Sequence, residues 1–423
     1  MRWVSAISQA ESTDAALFEI ISLVRGQLGA ERPDLLLAFV SNHHEPAYAA
    51  VSRGLNSAFS GALLLGCSAG AVIGGGTEVE GSPGLSVTAA VLPGVDIHPF
   101  HLVAGDMPSL EAEPGTWATA FGLQRMPPPC IMVIPDPHTT PTEVLVRGMD
   151  AAFPGSPKIG GIASGGHSAG ANALFLGDRL HRAGAVGVAL SGNITLDTVV
   201  AQGCRPVGSP MIVTRCEGNL ILELDGQPPL AALQNLFEQL DEADRELFRT
   251  APLCGVEMRD TVEHREGEYL IRNVLGIRDE GDGMFVGEVL RLWQVVQFHV
   301  RDARTSHDDV HAALSRYAQE ARDRLPEGAV LFSCLGRGKG LYGHPNHDSD
   351  ALREHLGEIP LGGFFCSGEI GPVQGITYLH GYTSAFGLFR SARPPSFVLD
   401  VGGIIGLLVV PIGQLHSRTG NSP

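Results

Sequence analysis

Hydrophobic positions follow two rhythms along the chain. Over residues 12–29, Leu17, Ile20, Ile21, Val24 and Leu28 recur at helical spacing behind Ser12 or Thr13 as a cap, which predicts an amphipathic helix. DLLLAFVS (34–41) and ALLLGCS (62–68) are unbroken apolar runs of strand length. Between them, the polar break NHHEP opens a second helix through about Phe59. This alternation predicts an α/β core. GAVIGGGTEVEGSPG (70–84) has no helical period and reads as a loop or irregular ribbon. Strand-like runs continue over 85–94, 95–103, 129–137, 157–164, 171–177, 184–192, 196–203 and 210–226, with a helix around 141–152. The last run reads as a hairpin turning at Glu217–Gly218–Asn219. Strands that follow one another directly predict mixed, largely antiparallel sheets.

The second half repeats the alternation. Helices are expected at 227–240, 306–325 and 348–356, the middle one capped by Thr305 or Ser306 and stopped by Pro326. Strands are expected at 284–299, 329–336 and 361–371, and from about 375. The resulting fold class is α/β: two packed domains, 1–226 and 227–393, with layered sheets flanked by helices. The apolar run VGGIIGLLVVPIG lies in a tail at 394–423; with Pro411 inside it, it is short for a membrane span and reads as a buried strand.

Composition narrows the function. The 423 residues are 44% hydrophobic and 18% charged, enough for a large core. A net charge of −17 without a basic run argues against nucleic acid and anionic membranes as partners. Seven cysteines, an odd number without a C-x-x-C, argue against a disulfide framework or zinc ribbon. The N-terminus lacks the apolar segment of a signal peptide. A soluble, cytoplasmic protein is expected.

Three strand ends resemble one another: LLLGCSAG (63–70), IGGIASGG (159–166) and LGGFFCSGE (361–369). They align Ser68, Ser164 and Ser367 behind Cys67, Ala163 and Cys366. Small residues there let backbone N–H groups face an open space; strand ends in any glycine-rich chain also look alike. GCSAG and GHSAG each spell the G-x-S-x-G of serine hydrolases. Neither has the strand-turn-helix setting of a nucleophile elbow: three glycines follow the first, and a strand-like run follows the second. Cys67, Cys334 and Cys366 could be nucleophiles beside a histidine, but apolar strand ends commonly hold structural cysteines.

The richest stretch is 334–375. Arg337 and Gly338 sit in the cationic loop GRGKG, which lacks Walker A spacing. The strand ending at Cys366 delivers Ser367, Gly368 and Glu369. Arg337 and Glu369 either pair with each other or face a zwitterion, Arg337 on its carboxylate and Glu369 on its ammonium. His344, His347 and Asp348 are spaced for a metal, yet the loop is loose, so no metal and no cofactor is expected. Asp348 reads as the cap of the next helix.

Two patterns carry a resemblance. C-x-x-R-G-x-x-L-[FY]-G is met by Cys334, Arg337, Gly338, Leu341, Tyr342 and Gly343. G-F-F-x-x-G-E-I-G is met by Gly363, Phe364, Phe365, Gly368, Glu369, Ile370 and Gly371. The second half thus resembles the C-terminal domain of the FIST family, the F-box and intracellular signal transduction proteins. The first half resembles the matching N-terminal domain through LLLGCSAG, KIGGIASGG and GAVGVALSG. The resemblance implies a sensory module for small ligands such as amino acids, with output through a signalling partner and no catalytic residues. The expected ligand site lies where the small-residue strand-end loops would converge: Cys67, Ser68, Ser164, Arg337, Gly338, Cys366, Ser367 and Glu369. A serine or cysteine hydrolase and a ligand-free scaffold are the alternatives.

Overall fold

The computed structural model describes residues 1–123, 127–258, 269–278, 281–321 and 324–392; the expected tail strand lies outside them. Most of the expected elements form within a few residues of their sequence bounds. Thr13–Leu28 is a helix because Ser12 accepts from the Ala15 N–H at 3.2 Å and Ala16, Ile20, Val24 and Leu28 form its buried stripe. The supposed irregular ribbon is a hairpin, Ala71–Gly74 with Thr77–Glu80. Its two-residue turn, Gly75–Gly76, takes positive φ at both positions, which glycine adopts without steric cost.

Three six-stranded sheets share one plan. Each holds a parallel pair joined through a helix. The pairs are Leu35–Ser41 with Leu63–Ala69, Cys130–Pro135 with Lys158–Gly161, and Gly328–Cys334 with Leu361–Cys366. The connecting helices are Tyr48–Ala58, Thr142–Ala152 and His347–Leu356. An antiparallel return strand flanks each pair: Leu85–Val91, Ala185–Gly192 or Ser384–Arg390. The remaining pairings are also antiparallel, as the sequence leads one to expect.

The far side of each sheet is completed by a hairpin from a different part of the chain. Hairpin 174–181 joins the first sheet, 369–380 the second and 71–80 the third. The three sheets are thereby interlocked. Their inner faces share one core in which Phe39, Cys67, Met132, Ile159, Phe332 and Phe364 meet. Phe364 packs against Phe39 at 4.8 Å and against Phe332 at 5.6 Å between ring centres. Helices cover the outer faces.

One region departs from this plan. Between the edge strand Thr195–Ala201 and the helix Ala303–Glu320, the chain builds a closed six-stranded barrel, 205–300. Two of its strands, Leu253–Glu257 and Tyr269–Ile277, and its helix Glu242–Thr250 were not anticipated from the sequence. The barrel has its own core of Val213, Ile221, Leu236, Val256, Val296 and Phe298. The helix after it is capped by Asp302, which accepts from the Thr305 N–H at 2.7 Å, rather than by Thr305 or Ser306.

Candidate ligand site and ionic centre

The three aligned strand ends do converge, and hydrogen bonds join them where they meet. The Ser164 hydroxyl accepts from the Gly70 N–H at 2.9 Å and donates to the Phe365 carbonyl at 2.5 Å. The Ser164 N–H reaches the Ser68 carbonyl at 3.3 Å, and the Ser367 N–H reaches the Ile162 carbonyl at 3.1 Å. The Ser68 hydroxyl accepts from the Ala173 N–H at 3.0 Å and lies 3.2 Å from Asn172. Cys67, Ser68, Ser164 and Cys366 are all buried. Small side chains here let three strands bond to one another, with backbone donors spent inside the protein.

Beside this junction lies a buried ionic centre. Arg337 is 1% exposed and grips Asp348 with both sides of its fork, Nε to Oδ2 at 2.9 Å and Nη2 to Oδ1 at 3.0 Å. It also donates to the Tyr342 hydroxyl and, at 3.5 Å, to the Tyr382 carbonyl. Asp348 accepts further bonds from the Ser333 and Ser384 hydroxyls and from His347. Burial alone would raise the Asp348 pKa; the adjacent Arg337 charge and the bonds from His347, Arg337 and Ser384 outweigh it and hold the carboxyl well below its usual range. Asp348 therefore does not cap its helix, where Asn346 holds the cap position.

Arg337 and Glu369 do not pair with each other. Glu369 is fully buried and accepts from the Thr383 N–H at 3.0 Å, the Thr383 hydroxyl at 2.8 Å and the Cys366 thiol at 3.2 Å. Burial pushes its pKa up to about 7, with the bonds from Thr383 and Cys366 opposing. A second buried carboxyl, Glu78 at the hairpin 71–80, accepts from the Ser349 N–H and hydroxyl at 2.8 and 2.9 Å. Burial first, then the nearby Asp348 charge, raises it to about 8.

Ser367 is the exposed member of the expected set, and it opens onto a cleft of about 180 Å³. Ser367, Gly368, Ile162, Leu379 and Tyr382 form one wall; Ile271, Arg272, Asn273 and Leu275 of the barrel form the other. Arg272 is 10% exposed and paired with Glu288 at 2.8 Å and Glu143 at 3.5 Å. Tyr382 bridges the two regions: its hydroxyl donates to Asn273 and its carbonyl accepts from Arg337.

A FIST N domain model matches residues 34–227, and a FIST C domain model matches 229–372. The chain belongs to the FIST family. A Mycobacterium tuberculosis protein described only as uncharacterized is 33% identical over 390 residues, 92% of this chain and 100% of its own length. An uncharacterized Mycobacterium bovis protein is 34% identical over 375 residues, 88% of this chain and 95% of its own. An F-box/LRR-repeat protein of Arabidopsis thaliana is 34% identical over 94 residues, 22% of this chain and 17% of the plant protein. FIST domains are associated with signal transduction and small-ligand sensing.

The hydrolase alternative gains nothing from the geometry of this FIST chain. Ser68 runs into a hairpin rather than a helix, and its hydroxyl is engaged by Ala173 and Asn172. Ser168 lies exposed in a turn before the short strand Leu174–Leu176. Burial raises Cys67 and Cys366 well above the ordinary thiol value and Cys334 to about 11, so all three are thiols rather than nucleophilic thiolates at neutral pH. Sequence reasoning missed Arg272, because its strand was not assigned, and Glu78, because TEVE was read as irregular. The strand-like alternation of Glu78 and Glu80 around Val79 was the available signal.

Proposed function

We propose that this FIST chain is an intracellular sensor for a small zwitterionic metabolite, an amino acid or close analogue, held without covalent chemistry. The observation that carries the reading is the cleft beside Ser367. It joins a nearly buried arginine, the Glu143 carboxylate, a hydroxyl and apolar surface. The ligand's carboxylate takes the place of Glu143 on Arg272, and its ammonium faces the freed Glu143. Its side chain rests on Ile162, Leu275 and Leu379. The volume is below the roughly 300–1,000 Å³ of drug-sized pockets, which favours a ligand of few atoms.

In this reading Cys67, Ser68, Ser164 and Cys366 hold the strand ends that shape the inner wall. Arg337, Gly338 and Glu369 stand behind it. Occupancy reaches Arg337 through Tyr382, and a signalling partner reads the change at the surface. Seven unpaired cysteines support a reducing compartment. Among the described residues no helix is long and apolar enough to cross a membrane.

A thermal-shift screen of the full chain against amino acids tests this. A ligand at 100 times its Kd adds about 2.7 kcal/mol of stability, and Arg272→Gln is expected to remove that gain. A hit that survives both Arg272→Gln and Ser367→Trp places the ligand elsewhere. The hydrogen-bonded strand-end junction, its serines engaged within the protein, favours a second reading, a scaffold without ligand; a panel with no hit at all would support it.

A further inference from the structure

Two helices of the third sheet face each other through histidines. On Ala303–Glu320, His307 and His311 are one turn apart, so their side chains share a face. On the helix His347–Leu356, packed against it, His347 and His355 are two turns apart on one face. The rings meet across the seam. His307 Nδ1 lies 3.0 Å from His347 Nε2, and His311 Nδ1 lies 3.0 Å from His355 Nε2. Glu354 approaches His311 at 3.9 Å.

We propose that His307, His311 and His347 bind a transition-metal ion of the zinc, cobalt or nickel class. Each residue offers a ligand atom, and these atoms lie within 4.8 Å of one another. Nitrogens about 2.1 Å from a tetrahedral ion are separated by about 3.4 Å, so closure needs shifts of around an ångström. Imidazole sets suit zinc, copper and nickel. The outer shell supplies the strongest support. His347 Nδ1 is 3.0 Å from Asp348 Oδ1, and Arg337 holds that carboxylate in place. This fixes the proton on Nδ1 and leaves the Nε2 lone pair aimed at the seam, the carboxylate–histidine arrangement of metal sites. Tyr342 stacks on the His347 ring at 3.4 Å and fixes its plane. His307 is exposed, so an ion has a path in. The sequence pairing of His347 with His344 is replaced by one across helices. The fourth position is left to water or to His355 or Glu354.

Titration calorimetry with Zn²⁺ on the chelator-treated full chain, with Co²⁺ absorption as the coordination signature, tests the site. One equivalent is expected to bind, with tetrahedral Co²⁺ bands. His307→Ala and His311→Ala should each weaken binding at least tenfold, His344→Ala should leave it unchanged, and Asp348→Asn should weaken it 10–100-fold. His307 is at the surface, so its variant folds. If His307→Ala and His311→Ala bind Zn²⁺ as the parent does, or if the parent binds none, the proposal is overturned.

Discussion

The strand-end junction and the neighbouring ionic centre lie side by side and are built in opposite ways. At the junction, Ser68, Ser164 and the backbone of Phe365 satisfy one another, and no charge is needed. At the centre, Arg337, Asp348, Glu369 and Glu78 are buried charges or acids that depend on each other and on hydroxyl donors. The junction draws on all three sheets; the ionic centre is built mainly on the third, the one the barrel interrupts, with Glu369 brought in by the hairpin that completes the second. Small-residue motifs here serve interlocking, and the chemistry is added where the plan is broken.

Removing one member of the centre should give the largest effect. Asp348→Ala strands the buried Arg337 charge and is expected to cost about 3–5 kcal/mol in chemical denaturation. Next comes the close strand approach that recurs within the parallel pairs. A Cβ on Gly66, Gly160 or Gly363 would lie 1.8, 2.0 or 2.0 Å from the carbonyl oxygen of Ala38, Val133 or Leu331. Each Gly→Ala change should cost about 1–3 kcal/mol, similar across the three sheets. Ser164→Ala leaves the Gly70 N–H without its acceptor and should cost about 1–2 kcal/mol.

The two raised carboxyls give the pH dependence. Glu369 and Glu78 hold protons in the folded state, to about pH 7 and 8, that the unfolded chain releases near pH 4.3. Their stabilisation is therefore complete below about pH 4.3 and is lost as pH rises through 7 and 8. Asp348, with its lowered pKa, acts oppositely and loses its contribution in strong acid. Buried His299 and His380, lowered to about 4, act oppositely below pH 6.5, so the carboxyl contribution is read as a difference: between pH 5 and 8 the parent should lose at least about 1 kcal/mol more than the variant carrying Glu78→Gln and Glu369→Gln. The smallest effect is expected at the exposed Arg353–Asp350 pair. Asp350→Asn should change stability by no more than about 0.5 kcal/mol.

The α/β class, the strand-end recurrence and most element bounds were legible because they rest on local periodicity. Ser68, Ser164 and Ser367 could be aligned by eye, since the same contact geometry imposes the same small residues. The lending of hairpins between sheets was not legible, because nothing local tells hairpin 71–80 which sheet it completes. Arg337 could be singled out, but its partner Asp348 read as a helix cap. Both roles suit an aspartate at that spot, and only the depth of burial separates them. In the barrel strand carrying Arg272, YLIRNVLGI, Arg272 and Asn273 stand side by side among apolar residues and no period-2 alternation marks it, so the cleft had no sequence signature.

The most direct measurement is amino-acid binding by titration calorimetry on the parent chain, Arg272→Gln and Ser164→Ala. The expected result is binding by the parent, binding by the less stable Ser164→Ala, and at least a tenfold loss in Arg272→Gln. Binding that survives Arg272→Gln and disappears with Ser164→Ala would put the ligand at the junction and contradict the division of labour between the two regions.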